Sequence, residues 1–190
     1  VLGATVDLVP LPTTPVLVVL GYADMPAAAD AAVAVTALGG GRPGGAGRPL
    51  AVEGMDARLV DVLRRHVGNV PDLPRGAGWL FCEFSGVDQA EALANAAALV
   101  AVSDCLDSMI VTDPAQSAAL WRIRADGVGL AGRTPSGAPA WPGWEDAAVP
   151  PENLGAYLRD FDALLDSYGV EGLPYGHFGD GCIHVRIGLP

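Results

Sequence analysis

The sequence predicts an α+β fold: a mostly antiparallel four-stranded sheet with helices packed on one face, followed by a C-terminal helix and strand. Three observations carry this. Short apolar runs alternate with helical segments as far as Asp113, in the order strand, helix, strand, helix, strand, helix, strand. Hydrophobic residues make up 51% and charged residues 17% of 190 residues, enough to bury a core. The clearest helix, "PPENLGAYLRDFDALLDSYG", then delivers the chain into "YGHFGDGCIHVRI", which ends in a strand-like alternation.

Each element has its own signal. "TPVLVVLGYA" (14–23) is a continuous apolar run, as expected of a strand buried on both faces or at a sheet centre. "DMPAAADAAVAVTALGG" follows as a helix with Asp24 or Met25 before Pro26 at its start and Gly39 past its end. The glycine-rich stretch 39–49 reads as a flexible loop. A phosphate loop would need a helix start right after it, and "LAVEG", a second strand, stands there instead. "DARLVDVLRRHVG" is a helix capped by Asp56, with His66 closing its end. "GWLFCEFSG" puts Leu80, Cys82 and Phe84 on one face and Trp79, Phe81 and Glu83 on the other, with Cys82 a buried structural thiol.

"VDQAEALANAAALVAV" is the next helix and "DSMIVTD" the next strand. Asp113, Pro114 and Gln116 then open a helix with a capping box. On it Trp121, Arg124 and Val128 share a stripe, where Arg124 either snorkels to water or grips a carboxylate in a bidentate fork. "AGRTPSGAPAWPGWEDAAVPP" reads as an irregular loop too apolar to hang in solvent. In the last helix, Leu154, Tyr157, Leu158, Phe161, Leu164, Leu165 and Tyr168 form one apolar stripe.

Charge and cysteine usage exclude several classes. A net charge of −11 opposes binding to nucleic acid or to an anionic membrane surface. Cys82, Cys105 and Cys182 lack CxxC spacing, so neither a disulfide framework nor a zinc ribbon is expected, and a reducing cytoplasm is the easier setting. No run is long enough for a membrane helix. With no initiator Met and an end at "HVRIGLP", the chain reads as one domain, residues 1–190, cut from a longer polypeptide.

The C-terminal segment carries the chemistry. Ile183, Val185 and Ile187 point to the core, which leaves Cys182, His184 and Arg186 in a row on the other face. A turn built on Gly176, Gly179 and Gly181 can fold His177 back beside His184. Two converging imidazoles suit a metal, and a glycine-rich hairpin whose histidines cap backbone carbonyls is the alternative.

"GHFGDGCIH" resembles the Gly-His-x-Gly-Asp-Gly-Asn-x-His segment of FAD-linked oxidases of the D-lactate, glycolate and D-2-hydroxyglutarate dehydrogenase type. "ALWRIRADGVGL", "GWEDAAVPPENLGAYLRDF" and "YGHFGDGCIHVRI" are similar, in that order, to a bacterial branch fused to an iron–sulfur oxidoreductase. The resemblance implies the C-terminal substrate (cap) domain of such an enzyme, with a ferredoxin-like core and the FAD-binding domain elsewhere on the polypeptide. It implies that His177 and His184 bind a divalent metal (Zn, Mn or Fe), that Arg124 grips the substrate carboxylate, and that Arg186 assists. The catalytic base would lie outside this chain. FAD and an iron–sulfur module are the implied cofactor and electron partner, a small D-2-hydroxy acid the substrate, and the inner face of the membrane, reached through partners, a peripheral station. Cys182 stands where the wider family has Asn, while Trp144 and Val128 fall near a substrate-binding Lys and a Thr of the 2-hydroxyglutarate enzymes. The alternative is a metal-free cap domain that shapes the flavin pocket and docks the iron–sulfur module.

Overall fold

The structure is a computed structural model that describes residues 2–6, 12, 14–38, 47–66, 68–130, 132–134 and 136–189, without the side chains of 128–130. The expected helix stop at Gly39, most of the glycine-rich loop and the side chain of Val128 lie outside the described residues. Among the described residues, seven strands form one sheet in the order β4-β1-β3-β2-β6-β7-β5. Neighbouring strands all run antiparallel.

The strands are β1 (Val16–Tyr22), β2 (Ala51–Asp56), β3 (Gly78–Phe84), β4 (Asp107–Val111), β5 (Trp141–Ala148), β6 (Gly172–Gly176) and β7 (Cys182–Ile187). The helices are α1 (Met25–Ala37), α2 (Ala57–His66), α3 (Gln89–Val102), α4 (Pro114–Leu130) and α5 (Leu154–Ser167). Asp24, Asp56, Asp88 and Asp113 accept hydrogen bonds from the first turns of α1 to α4, at 2.7 to 2.9 Å. His66 Nδ1 lies 2.8 Å from the Val62 carbonyl, so it closes the end of α2 as expected.

The α+β class holds, but the expected four strands with helices on one face do not. Seven strands are present, and both faces carry helices. Val16, Val18 and Leu20 of β1, with Leu80, Cys82 and Phe84 of β3, pack under α1, α3 and α5. Leu17, Val19, Trp79 and Phe81 point the other way, under α2 and α4. Two central strands that are apolar on both faces require two covering layers. A single layer would leave those four side chains in water, at about 1.5–3 kcal/mol for each aliphatic or phenylalanine side chain.

The segment read as an irregular loop contains β5, an edge strand beside β7. Its pairing shifts register between Trp141 and Trp144 and again between Trp144 and Ala147. An edge position tolerates Pro142, which has no N–H to give, and the register shifts break the alternation that would have announced a strand. The α5 stripe is also shorter than expected. Leu154, Leu158 and Phe161 are buried, but Leu164 and Tyr168 are 52% and 77% exposed. No described helix is long and apolar enough to cross a membrane.

This layering positions the later site. The α2/α4 cluster includes residues of β1 to β4 and β6, but no described residue of β5 or β7. On that side of the sheet, β7 presents its polar row instead of apolar packing. Cys82 is fully buried, and burial pushes its thiol far above the usual range. It is therefore a neutral thiol at pH 8, and iodoacetamide should leave Cys82 unmodified until denaturant unfolds the chain, as peptide mapping would show.

Candidate functional site

The site begins with a turn locked from below. After β6, His177 leads into one 3-10 turn, Phe178–Asp180, and Gly181 closes it in the left-handed region at φ 68°. A β-carbon at Gly181 would strike the Val149 carbonyl, so glycine is needed for space as well as for conformation. Phe178 is fully buried in the α1/α3/α5 core, with its ring against Gly54 of β2, where no β-carbon fits. The Asp180 and Cys182 N–H groups both donate to the His177 carbonyl, at 2.9 and 3.2 Å. The hairpin pairs Tyr175 with His184, which brings His184 beneath the returning turn.

The two imidazoles converge. His177 Nε2 and His184 Nε2 are 3.4 Å apart. The other nitrogen of each ring meets a carboxylate: His177 Nδ1 lies 2.8 Å from Glu53 Oε1, and His184 Nδ1 lies 2.8 Å from Glu145 Oε2. A carboxylate accepts, so His177 Nδ1 carries the hydrogen and its Nε2 presents a lone pair toward His184, whose Nδ1 is also approached by the Asp146 N–H at 3.5 Å. The Tyr175 ring braces His184 at a centroid distance of 5.2 Å. Asp146 Oδ1 is 3.8 Å from His184 Nε2, and one atom each from Asp146, His177 and His184 fall within 4.8 Å of one another.

Asp146 lies on β5 with φ 52°, the one positive-φ non-glycine among the described residues, just where the strand shifts register. Such a conformation costs about 1–3 kcal/mol and clusters at functional sites. Two imidazole nitrogens this close need a proton or a cation between them. Nitrogens bound ~2.0–2.1 Å from one tetrahedral zinc lie roughly 3.3 Å apart, so these three side chains can hold a divalent ion.

The arginines join the same network. Arg124 Nε donates to Glu53 Oε2 at 2.6 Å, with the Arg124 side chain only 25% exposed. Of its two readings, snorkelling does not describe it, because the guanidinium is held inside the site by a buried carboxylate. Arg186 Nη1 lies 3.3 Å from Glu145 Oε1, and its buried Nε has no hydrogen-bond partner among the described residues. Each glutamate thus ties one histidine to one arginine. The Cys182 thiol lies 3.9 Å from Asp146 Oδ1, and burial, reinforced by the Asp146 charge, holds its pKa above the usual range.

Trp144 is not in this cluster. It pairs with Val185, packs against Phe161 at 5.3 Å and donates to the Tyr157 hydroxyl at 2.8 Å, on the α5 side of the sheet. Glu53, Glu145 and Asp146 escaped sequence reasoning. The available signal was Glu53 itself, a charge inside an apolar strand, which a buried position tolerates only with partners.

Residues 11–190 match the family of FAD linked oxidases, C-terminal domain. The chain belongs to that family. Its sequence is 31% identical over 160 aligned positions to a D-2-hydroxyglutarate dehydrogenase of Escherichia coli K12, covering 75% of this chain and 16% of that protein. A protein of the same name from Pseudomonas putida is 31% identical over 205 positions, covering all of this chain and 19% of the relative. A D-lactate dehydrogenase of Archaeoglobus fulgidus is 29% identical over 136 positions, covering 72% of this chain and 29% of that protein. The chain therefore spans less than a fifth of the D-2-hydroxyglutarate dehydrogenases it matches.

Within this FAD-linked oxidase domain, the Phe178–Gly54 contact sets the height of the His177 turn. Replacing Gly54 with Ala drives a methyl group into the ring and should cost about 1–3 kcal/mol of stability in a denaturant melt.

Proposed function

We propose that this chain is the substrate- and metal-binding domain of an FAD-dependent dehydrogenase that oxidises a small D-2-hydroxy acid to the 2-oxo acid. The observation that carries the reading is the pair of carboxylate-fixed imidazoles with Nε2 atoms 3.4 Å apart. It is supported by family membership and by relatives named D-2-hydroxyglutarate and D-lactate dehydrogenases.

His177, His184 and Asp146 would hold the ion; two imidazoles and a carboxylate suit zinc, iron or manganese. A divalent ion there supplies Lewis-acid polarisation of the substrate's hydroxyl and carboxylate oxygens, and the flavin of the preceding domain supplies the hydride acceptor. Arg124 is pinned through Nε, which leaves its two terminal nitrogens to fork onto the substrate carboxylate. Arg186, on the same face as His184, adds positive charge beside it. The base for the hydroxyl proton would belong to another part of the polypeptide, and a fused or docked iron–sulfur module would serve as the electron acceptor.

Charge selects the substrate class. Three carboxylates (Glu53, Glu145 and Asp146) outnumber the two guanidiniums (Arg124 and Arg186) by one, with both histidines neutral. A divalent cation turns this to a single net positive charge, which one substrate carboxylate neutralises. A second carboxylate would bring a further negative charge that this count leaves unbalanced. The full-length enzyme should therefore show a higher kcat/KM for D-lactate or glycolate than for D-2-hydroxyglutarate in a flavin-reduction assay; the reverse order would overturn the single-carboxylate assignment.

Replacing His177 with Ala in the full-length enzyme should abolish bound metal, measured by elemental analysis, and lower kcat/KM by at least about a hundredfold while flavin content is retained. Full activity with loss of iron–sulfur docking alone would favour the metal-free cap domain instead.

A further inference from the structure

Glu53 is a carboxylate on β2, between β3 and β6 in the sheet, with its side chain only 12% exposed. A charge this buried requires strong partners, and Glu53 has two, one on each oxygen. Oε1 receives His177 Nδ1 at 2.8 Å, and Oε2 receives Arg124 Nε at 2.6 Å. The partners come from opposite ends of the site: His177 from the β6–β7 turn and Arg124 from α4.

We propose that Glu53 is the positioning residue that couples metal binding to substrate-carboxylate binding. The inference rests on the metal-dependent reading above. One oxygen keeps the His177 hydrogen on Nδ1, which leaves the Nε2 lone pair for the ion. The other fixes the roll of the Arg124 guanidinium, which would leave its terminal nitrogens for a substrate carboxylate. Glu145 forms the parallel link between His184 and Arg186, but from an edge strand, 37% exposed and with a longer contact of 3.3 Å to Arg186. The tighter, more buried coupling belongs to Glu53.

The chemistry of the replacement makes this testable. Glu53→Gln keeps the shape but offers one acceptor oxygen where the carboxylate offers two. If the amide oxygen faces Arg124, its NH2 meets His177 Nδ1, and the imidazole hydrogen must move to Nε2, where it blocks the metal. If the oxygen faces His177, the amide NH2 confronts the Arg124 Nε–H and the arginine swings away. Either arrangement breaks one of the two functions.

The expected result for E53Q is a 10- to 100-fold loss of zinc affinity in a titration of this chain, or a KM for the hydroxy acid raised about tenfold or more in the full-length enzyme at saturating metal. Arg124→Lys should raise KM and leave zinc affinity unchanged. Because E53Q also disturbs a buried ion pair, the wild-type chain provides a second measurement. Nitrogen-15 spectra of the metal-free chain at pH 8 should show the His177 hydrogen on Nδ1; a hydrogen on Nε2 overturns the proposal. So does an E53Q protein that melts earlier yet keeps zinc affinity and KM within twofold of wild type. A wild-type chain and full-length enzyme that bind no zinc, iron or manganese overturn the metal-dependent reading on which this proposal rests.

Discussion

The burial of Phe178 against Gly54 is the contact on which the site depends. A turn rich in glycine has little intrinsic preference for one shape, and fixing each residue costs on the order of 1–2 kcal/mol in backbone entropy. The His177–Asp180 turn recovers this by sinking one aromatic ring into the core under α1 and β2. With that ring seated, His177 on one side and Gly181 on the other have little freedom left. The imidazole then comes to rest over His184.

The second constraint is the division of the sheet. β1 and β3 are apolar on both faces and need helices on both sides, whereas β7 is apolar only toward α1 and α5. The polar row of Cys182, His184 and Arg186 lies on the side where α4 approaches from β2 and supplies Arg124. The same sheet is thus a core in one half and a polar surface in the other. The bulged edge strand β5 completes that surface by turning Glu145 and Asp146 toward β7.

Electrostatics then determines what the surface can bind. Its two glutamates are shared, each meeting one imidazole and one guanidinium, so no arginine of the site stands as an isolated charge. In the proposed reading, anion binding in such a place would depend on an ion held by the histidines, which would link metal and substrate in one network. Cys182, kept as a neutral thiol beside Asp146, contributes a weak hydrogen-bond donor rather than a thiolate ligand.

Sequence alone determined whatever depends on local pattern. The helix starts at Asp24, Asp56 and Asp113, the two-faced alternation of β3, the outward row of β7 and the convergence of His177 on His184 follow from spacing, capping chemistry and glycine positions, which act over a few residues. Tertiary structure decided the rest. Glu53 lies 124 positions from His177 and 71 from Arg124, and no local rule relates residues so far apart. β5 was hidden because its bulges break the period of two, and the same register shifts set Trp144 against Phe161 on the α5 side. The number of helical layers follows from how strands are ordered in the sheet, a property of long-range pairing that no short window of sequence contains.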